Sequence, residues 1–156
     1  MVVVRKATVS DVPVLLPLVA EYWRFEDIPD FEAGRVTAAL TRLLSEPRLG
    51  TGWIAALEGV AVGYVLAVYI FSLEHLGLTA EIDEFFVSPS QRVQGVGAEL
   101  LRNAESEFVQ VGCTNVSLQL SRNNDSARAF YRRRLYRERS GYEILDKMLL
   151  DAKAQI

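Results

Sequence analysis

The stretch "EIDEFFVSPSQRVQGVGAELL", Glu81 to Leu101, decides how the chain is read. Its first seven residues have the composition of a strand and "SPS" reads as a turn. From Val96 onward Leu100, Leu101, Ala104 and Phe108 recur at helical spacing as far as Gly112, a natural helix stop. Two glycines, Gly95 and Gly97, fall where strand gives way to helix. A turn of that composition exposes unpaired backbone N–H groups at the helix start and lets an anion such as a phosphate approach them closely. The plainer reading is a helix with a permissive first turn. Two common phosphate motifs are excluded: Leu100 stands where the third glycine of a dinucleotide fingerprint would fall, and no Gly-Lys-Ser/Thr of a P-loop is present.

Working outward, the β-branched start from Val2 to Ala7 predicts a strand. Ser10 or Asp11 can cap a following helix that takes Pro13 in its first turn and runs to about Arg24. The polar "FEDIPDFE" reads as a loop, after which Val36, Leu40, Leu43 and Leu44 share one helical face before Pro47. Residues 51–58 and 61–71 read as two strands joined by a tight turn at Glu58 and Gly59. Downstream, "TNVSLQL" alternates as a strand, and a short helix is predicted from about Asn124 to Arg134. Two last strand-like runs follow, near 135–140 and 142–150. No internal repeat or low-complexity linker divides the chain, so one domain over residues 1–156 is expected.

Composition narrows the function classes. With 156 residues, half of them apolar, the chain can bury a sizeable core, and a formal charge of −3 gives no global reason to expect nucleic acid. The run Arg132, Arg133, Arg134, followed by Arg137 and Arg139, is basic only locally, and most of such a run ordinarily solvates a helix face. A single cysteine, Cys113, forms neither an internal disulfide nor a metal cluster and is most simply a small core residue, and the only histidine, His75, lies in a loop without a ligand partner. No metal is expected. The start "MVVVRKAT" has no signal-peptide core, and "VLAVYIF" is too short to span a bilayer, so the expectation is a cytoplasmic protein without membrane contact.

The segment Arg92-Val93-Gln94-Gly95-Val96-Gly97, between strand and helix, resembles the Q/R-x-x-G-x-G/A motif of the GNAT superfamily of acetyl-CoA-dependent N-acetyltransferases. A second segment, "NDSARAFY" from Asn124 to Tyr131, is similar to the family's Asn-x-x-Ala-x-x-Phe-Tyr, and the element order matches over nearly the whole chain. One departure is visible: Leu135-Tyr136 stands where the family usually has Gly-Phe. A narrower resemblance, of "IDEFFV" and "FYRRR" to spermidine/spermine N-acetyltransferases, covers short segments only. The resemblance implies an α/β (α+β) fold, a single GNAT domain with a central, mostly antiparallel mixed sheet flanked by helices.

It also implies roles. The backbone amides of Val93, Gln94, Gly95, Val96, Gly97 and Ala98 would meet the coenzyme pyrophosphate, and the backbone of Phe85, Phe86 and Val87 would pair with the pantetheine arm. Asn124 would hold the arm from its other side, and Arg92 and one of Arg132 to Arg134 would offer charge to phosphate groups. Tyr131 matches the family's general acid toward the coenzyme sulfur. A phenol is protonated at neutral pH and can donate to a thiolate, although the same ring can simply pack beside Phe130.

The chemistry itself asks for a carboxylate. An alkylammonium with a pKa near ~10.4 is almost wholly protonated at neutral pH, so a carboxylate, or water bound to one, can assist its deprotonation. Glu81, Asp83 and Glu84 are the candidates. Strict alternation puts Glu81 and Asp83 on one face of the strand and Glu84 on the other, unless a bulge intervenes. By resemblance, the position of Glu81 carries the base in histone-type members, and that of Asp83 matches a substrate-binding acid in the polyamine type. The plainer reading leaves these acids solvating a strand end. For the acceptor, Tyr22 and Trp23 with Glu26 and Asp27, and Asp30 and Glu32 beyond, form a mixture able to attract and partly enclose a cationic amine. An ordinary acidic loop with its aromatics in the core has the same composition.

The expected activity is direct transfer of an acetyl group from acetyl-CoA to a primary amine of a small cationic molecule of polyamine, amino acid or aminoglycoside type. A protein amine as acceptor and a noncatalytic acyl-CoA sensor or partner-binding module are the alternatives. A homodimer is within what the family resemblance allows.

Overall fold

The computed structural model describes residues 1–92 and 94–150. Two compact units divide after Gln119, the first from Met1 to Gln119 and the second from Leu120 onward.

The first unit is built on a five-stranded sheet in the order β1-β2-β3-β4-β5, formed by Val2–Lys6, Gly50–Leu57, Val60–Ser72, Gly77–Val87 and Val116–Leu118. The first four strands are antiparallel and β5 runs parallel to β4, so the sheet is mixed. The parallel pair needs a crossover, which helix α3, Val96–Val111, supplies. Helices α1, Val12–Phe25, and α2, Ala33–Ser45, come from the segment between β1 and β2. The hairpin predicted at Glu58 and Gly59 is present, both residues adopting left-handed backbone with φ of 49° and 81°.

Alternation along β3 assigns the two faces of the sheet. Tyr64 and Leu66 join a buried cluster with Leu15, Leu18 and Val19 of α1 and Leu40 of α2. The opposite face meets α3: Tyr69 packs edge-on to Phe108 with centroids 6.4 Å apart, and Thr51 and Trp53 of β2 both donate hydrogen bonds to Glu107. Leu100, Leu101 and Ala104 are fully buried, as their spacing predicts.

The α1 end of the sheet is tied by a bidentate ion pair. Arg5 Nη1 and Nη2 donate to the two carboxylate oxygens of Asp11 at 2.8 and 2.7 Å, while the Thr8 N–H donates to Asp11 Oδ2 at 2.8 Å. Those bonds, against the opposing effect of burial, lower the Asp11 pKa to about 2. Asp11 holds the N-cap position of α1 but does not cap it as expected, because its carboxylate is turned back to Arg5 and Thr8; Pro13 sits in the helix's first turn as expected.

In the second unit α4 spans Asp125–Arg132. Asn124 is its N-cap, with Oδ1 accepting the Ala127 N–H at 3.1 Å. The strands predicted near 135–140 and 142–150 are not formed among the described residues. Tyr142, Ile144, Leu145, Met148, Leu149 and Leu150 are all largely exposed. Apolar content makes a segment compatible with a strand, but a strand exists only where a neighbour completes its ladder, and these residues have none in the sheet. Cys113 is half-buried just past α3 rather than a core residue at a strand start.

Candidate active site

The strand that carries the three candidate carboxylates contains a bulge. Glu84 lies opposite Leu66 and Ile82 opposite Ala67, so Asp83 is the extra residue. Directly opposed residues share a face, so Glu84 falls with Leu66 on the α1 side and Ile82 turns with Ala67 toward the other. Glu81, opposite Val68, then shares the face of Glu84. This is the exception that strict alternation left open: the bulge, and not the period of two, groups the acids.

Glu84 is held from two elements. Tyr64 Oη on β3 donates to Glu84 Oε1 at 2.8 Å, and Trp23 Nε1 on α1 donates to Glu84 Oε2 at 2.8 Å. Burial raises the Glu84 pKa, the two hydrogen bonds oppose that rise, and neighbouring Asp83 adds to it. Burial also raises the pKa of Asp83, whose residue surface nonetheless stays open to solvent. Glu81 accepts a long bond from Gln119 Nε2 at 3.4 Å.

Tyr22 stands in the middle of this chemistry. Its ring packs edge-on against Tyr64 and Phe86 with centroids 6.4 and 6.0 Å away. Burial first, and then the charges of Glu26, Glu84 and Asp83, raise the pKa of its phenol. Glu26 is the C-cap of α1, and Asp27 follows exposed, with φ of 53°. Trp23 packs on Phe31 at 5.5 Å and turns its N–H to Glu84. Glu32 caps α2, accepting from Gly34 and Arg35 N–H groups at 3.0 and 2.9 Å, so that acid of the loop has a local structural use.

The glycine turn follows. Gly95 is the N-cap of α3 with φ of 80°, a left-handed conformation in which a side chain is strained, and the space where a Cβ would stand is open. Val96 is buried and anchors the turn, while Gly97 and Ala98 lie half-buried in its first helical residues. Gln94 donates through Nε2 to Gln91 Oε1 at 3.1 Å. Val93 lies outside the described residues. The open αL glycine and the 16-residue helix behind it fit a phosphate-bearing ligand. Arg92 is turned back: Nε donates to the Val87 carbonyl at 2.9 Å, and its guanidinium lies 4.7 Å from the Phe25 ring centroid and 5.7 Å from that of Phe86. Phe86 is a core residue and Phe85 is half-buried. The β4–β5 ladder runs from Ala80–Val116 to Ile82–Leu118, and β4 continues beyond it to Val87.

In the second unit, Tyr131 is buried, with its ring 5.3 Å from Phe130 and 5.2 Å from Tyr136. The amide oxygen of Asn124 caps α4. Two of the basic residues, Arg128 and Arg132, share Glu138 at 2.9 and 2.7 Å. Among the described residues no group of three or more His, Cys, Asp or Glu could hold a metal ion, and no helix is long and apolar enough to cross a membrane.

The acetyltransferase (GNAT) family model matches residues 16–135. The chain belongs to the GNAT family. Its enzymatic class is therefore that of an acetyltransferase, and the five-stranded mixed sheet flanked by helices is the fold that the resemblance implies. An aminoalkylphosphonate N-acetyltransferase of Salmonella typhimurium is 31% identical over 134 residues, covering 86% of this chain and 84% of that protein. Among solved structures, an integron cassette protein from the mobile metagenome of Cole Harbour Salt Marsh superposes with a TM-score of 0.84 at 30% identity, over 95% of this chain and 91% of the other. A predicted acetyltransferase of Clostridium acetobutylicum, solved with acetyl-CoA, shares the GNAT fold with a TM-score of 0.80 at 18% identity, over 94% and 96% of the two chains.

Sequence reading missed Tyr64, the residue that holds Glu84 from the sheet. The available signal was a tyrosine inside an otherwise apolar strand, because a buried phenol needs a hydrogen-bond partner.

Proposed function

We propose that this GNAT acetyltransferase moves the acetyl group of acetyl-CoA directly to the primary amine of a small cationic molecule, and that Glu84 takes the proton the amine gives up. The observation that carries this reading is the Glu84 carboxylate, held by the Tyr64 hydroxyl and the Trp23 indole N–H beside the exposed Asp83, with no salt bridge reaching it among the described residues. Adjacent carboxylates at Asp83 and Glu84, with no cation paired to Glu84 among the described residues, favour an ammonium ion over a neutral or anionic group. The name of the Salmonella relative gives it a substrate with a protonated amine but also an anionic phosphonate, so it supports an ammonium as acceptor and not a net positive charge on the molecule.

The steps balance with residues of this chain. The bound ammonium passes a proton to the Glu84 carboxylate, directly or through one water, and the freed amine attacks the thioester carbonyl. The N–C bond forms and the C–S bond breaks, Tyr131 protonates the leaving thiolate, and the second proton on the acylated nitrogen passes through solvent to restore the Tyr131 phenol, so the one net proton released is the one Glu84 took. The role of Tyr131 rests on motif resemblance and phenol chemistry. The first-turn amides of α3, at Val96, Gly97 and Ala98, are the proposed donors to the coenzyme pyrophosphate. A single functional domain over the chain is part of the proposal, supported by a family match that runs across Gln119.

The test is a turnover screen with acetyl-CoA against a linear diamine, an aminoalkylphosphonate, an aminoglycoside and a lysine-containing peptide. A small amine is expected to exceed the peptide by at least about tenfold in kcat/KM, with KM rising as salt screens the carboxylates. Preference for the peptide would overturn the acceptor class, and acetyl-CoA binding without turnover of any amine would overturn the direct-transfer reading.

A further inference from the structure

We propose that Trp23 is a positioning residue for acetyl transfer: its indole N–H, paired with the Tyr64 hydroxyl, fixes the Glu84 carboxylate in the orientation that receives the amine proton. The inference rests on the reading of Glu84 as proton acceptor, and it assigns Trp23, a substrate-contact candidate by composition, a different task. The indole N–H is a donor with one bond to give, and it gives it to Glu84 Oε2 at 2.8 Å. Its ring is packed edge-on to Phe31.

The choice of acceptor is informative. An indole in a core needs only one acceptor, and a backbone carbonyl serves. Here the acceptor is a carboxylate on the face of Tyr22, Tyr64 and Phe86, where ionisation is costly. Each oxygen of Glu84 has its own neutral donor, one from α1 and one from β3, and among the described residues no salt bridge reaches it. Two neutral hydrogen bonds orient the charge without cancelling it. A carboxylate so placed is matched to a cation that comes and goes, and its remaining lone pairs stay available to a proton. The other titratable groups around it are Tyr22 on α1, whose phenol also feels Glu26, Tyr64 on β3 and Asp83 on β4. Arg92 sits over the neighbouring Phe86 ring.

The experiment uses the full chain with a competent amine and compares wild type, Trp23→Phe and Tyr64→Phe. The carboxyl of Glu84 is titrated by carbon-13 NMR, assigned with Glu84→Gln, alongside the pH profile of kcat/KM. Removing either donor is expected to raise the Glu84 pKa by about 0.5–1 unit and move the acid limb of the profile upward by the same amount, with acetyl-CoA affinity unchanged. Tyr64→Phe carries the test if Trp23→Phe unfolds. An unmoved Glu84 titration in a folded variant overturns the positioning role. A moved titration with an unmoved acid limb overturns Glu84 as the base, and the catalytic meaning of Trp23 with it.

Discussion

Leu135 holds, at the end of α4, the left-handed position that Gly112 holds at the end of α3. Their φ angles are 67° and 96°. Both helices close with the same pair of hydrogen bonds. In α3 the N–H groups of Cys113 and Gly112 reach the carbonyls of Phe108 and Val109 at 2.8 and 3.1 Å, and in α4 those of Tyr136 and Leu135 reach Tyr131 and Arg132 at 3.1 and 3.0 Å. The departure from Gly-Phe to Leu135-Tyr136 thus leaves the turn intact and charges its cost to one residue. Leu135 is 92% exposed, so its side chain offers little in return. Leu135→Gly should stabilise the protein by about 0.5–1 kcal/mol and raise Tm. A lower Tm would show that the leucine contributes contacts.

Glu107 gathers Lys6, Thr51 and Trp53 onto one buried carboxylate, with Thr51 Oγ1 and Trp53 Nε1 at 2.8 and 2.6 Å. Glu107→Ala strands three donors and should cost about 2–3 kcal/mol in urea unfolding. Glu107→Gln turns an acceptor into an NH2 group facing donors and should cost about half as much. Equal losses would assign the effect to volume.

Asp11 makes stability depend on pH. Its pKa of about 2 lies below the ordinary 3.8, so the stabilisation is complete above pH 3.8 and is lost as pH falls toward 2. Arg5 is half-exposed, which holds the effect to about 1 kcal/mol. Asp11→Asn should be less stable at pH 6 and should lack this component of the decline between pH 4 and 2. Parallel pH–stability curves would remove the linkage.

Tyr131→Phe keeps the ring beside Phe130 and Tyr136 and deletes only the hydroxyl. With a competent amine, kcat should fall by roughly ten- to a thousandfold while acetyl-CoA affinity changes little. Near-normal kcat would leave Tyr131 as packing.

Gly97→Val tests the glycine turn. A branched side chain in the first turn of α3 should weaken acetyl-CoA binding, measured by calorimetry, without lowering Tm by more than a few degrees. Unchanged affinity would move the pyrophosphate elsewhere.

What could be read from the chain alone was local. The strand, turn and glycines from Glu81 to Leu101 lie within some twenty residues, and both the helix start and its Gly112 stop follow from backbone rules that act over four or five positions. The same holds for the Glu58-Gly59 hairpin and for Pro13 at the entry of α1. Tertiary structure decided the rest, because it depends on pairing. The bulge at Asp83 exists only in register with Leu66 and Ala67, so the face of Glu84 is set by β3 rather than by its own period. Residues 142–150 carry strand-like composition but enter no ladder, and composition cannot supply a neighbour. Trp23 and Glu84 are 61 residues apart, and only the packing of α1 on the sheet converts a tryptophan in an acidic loop's approach into a hydrogen-bond donor for a buried carboxylate.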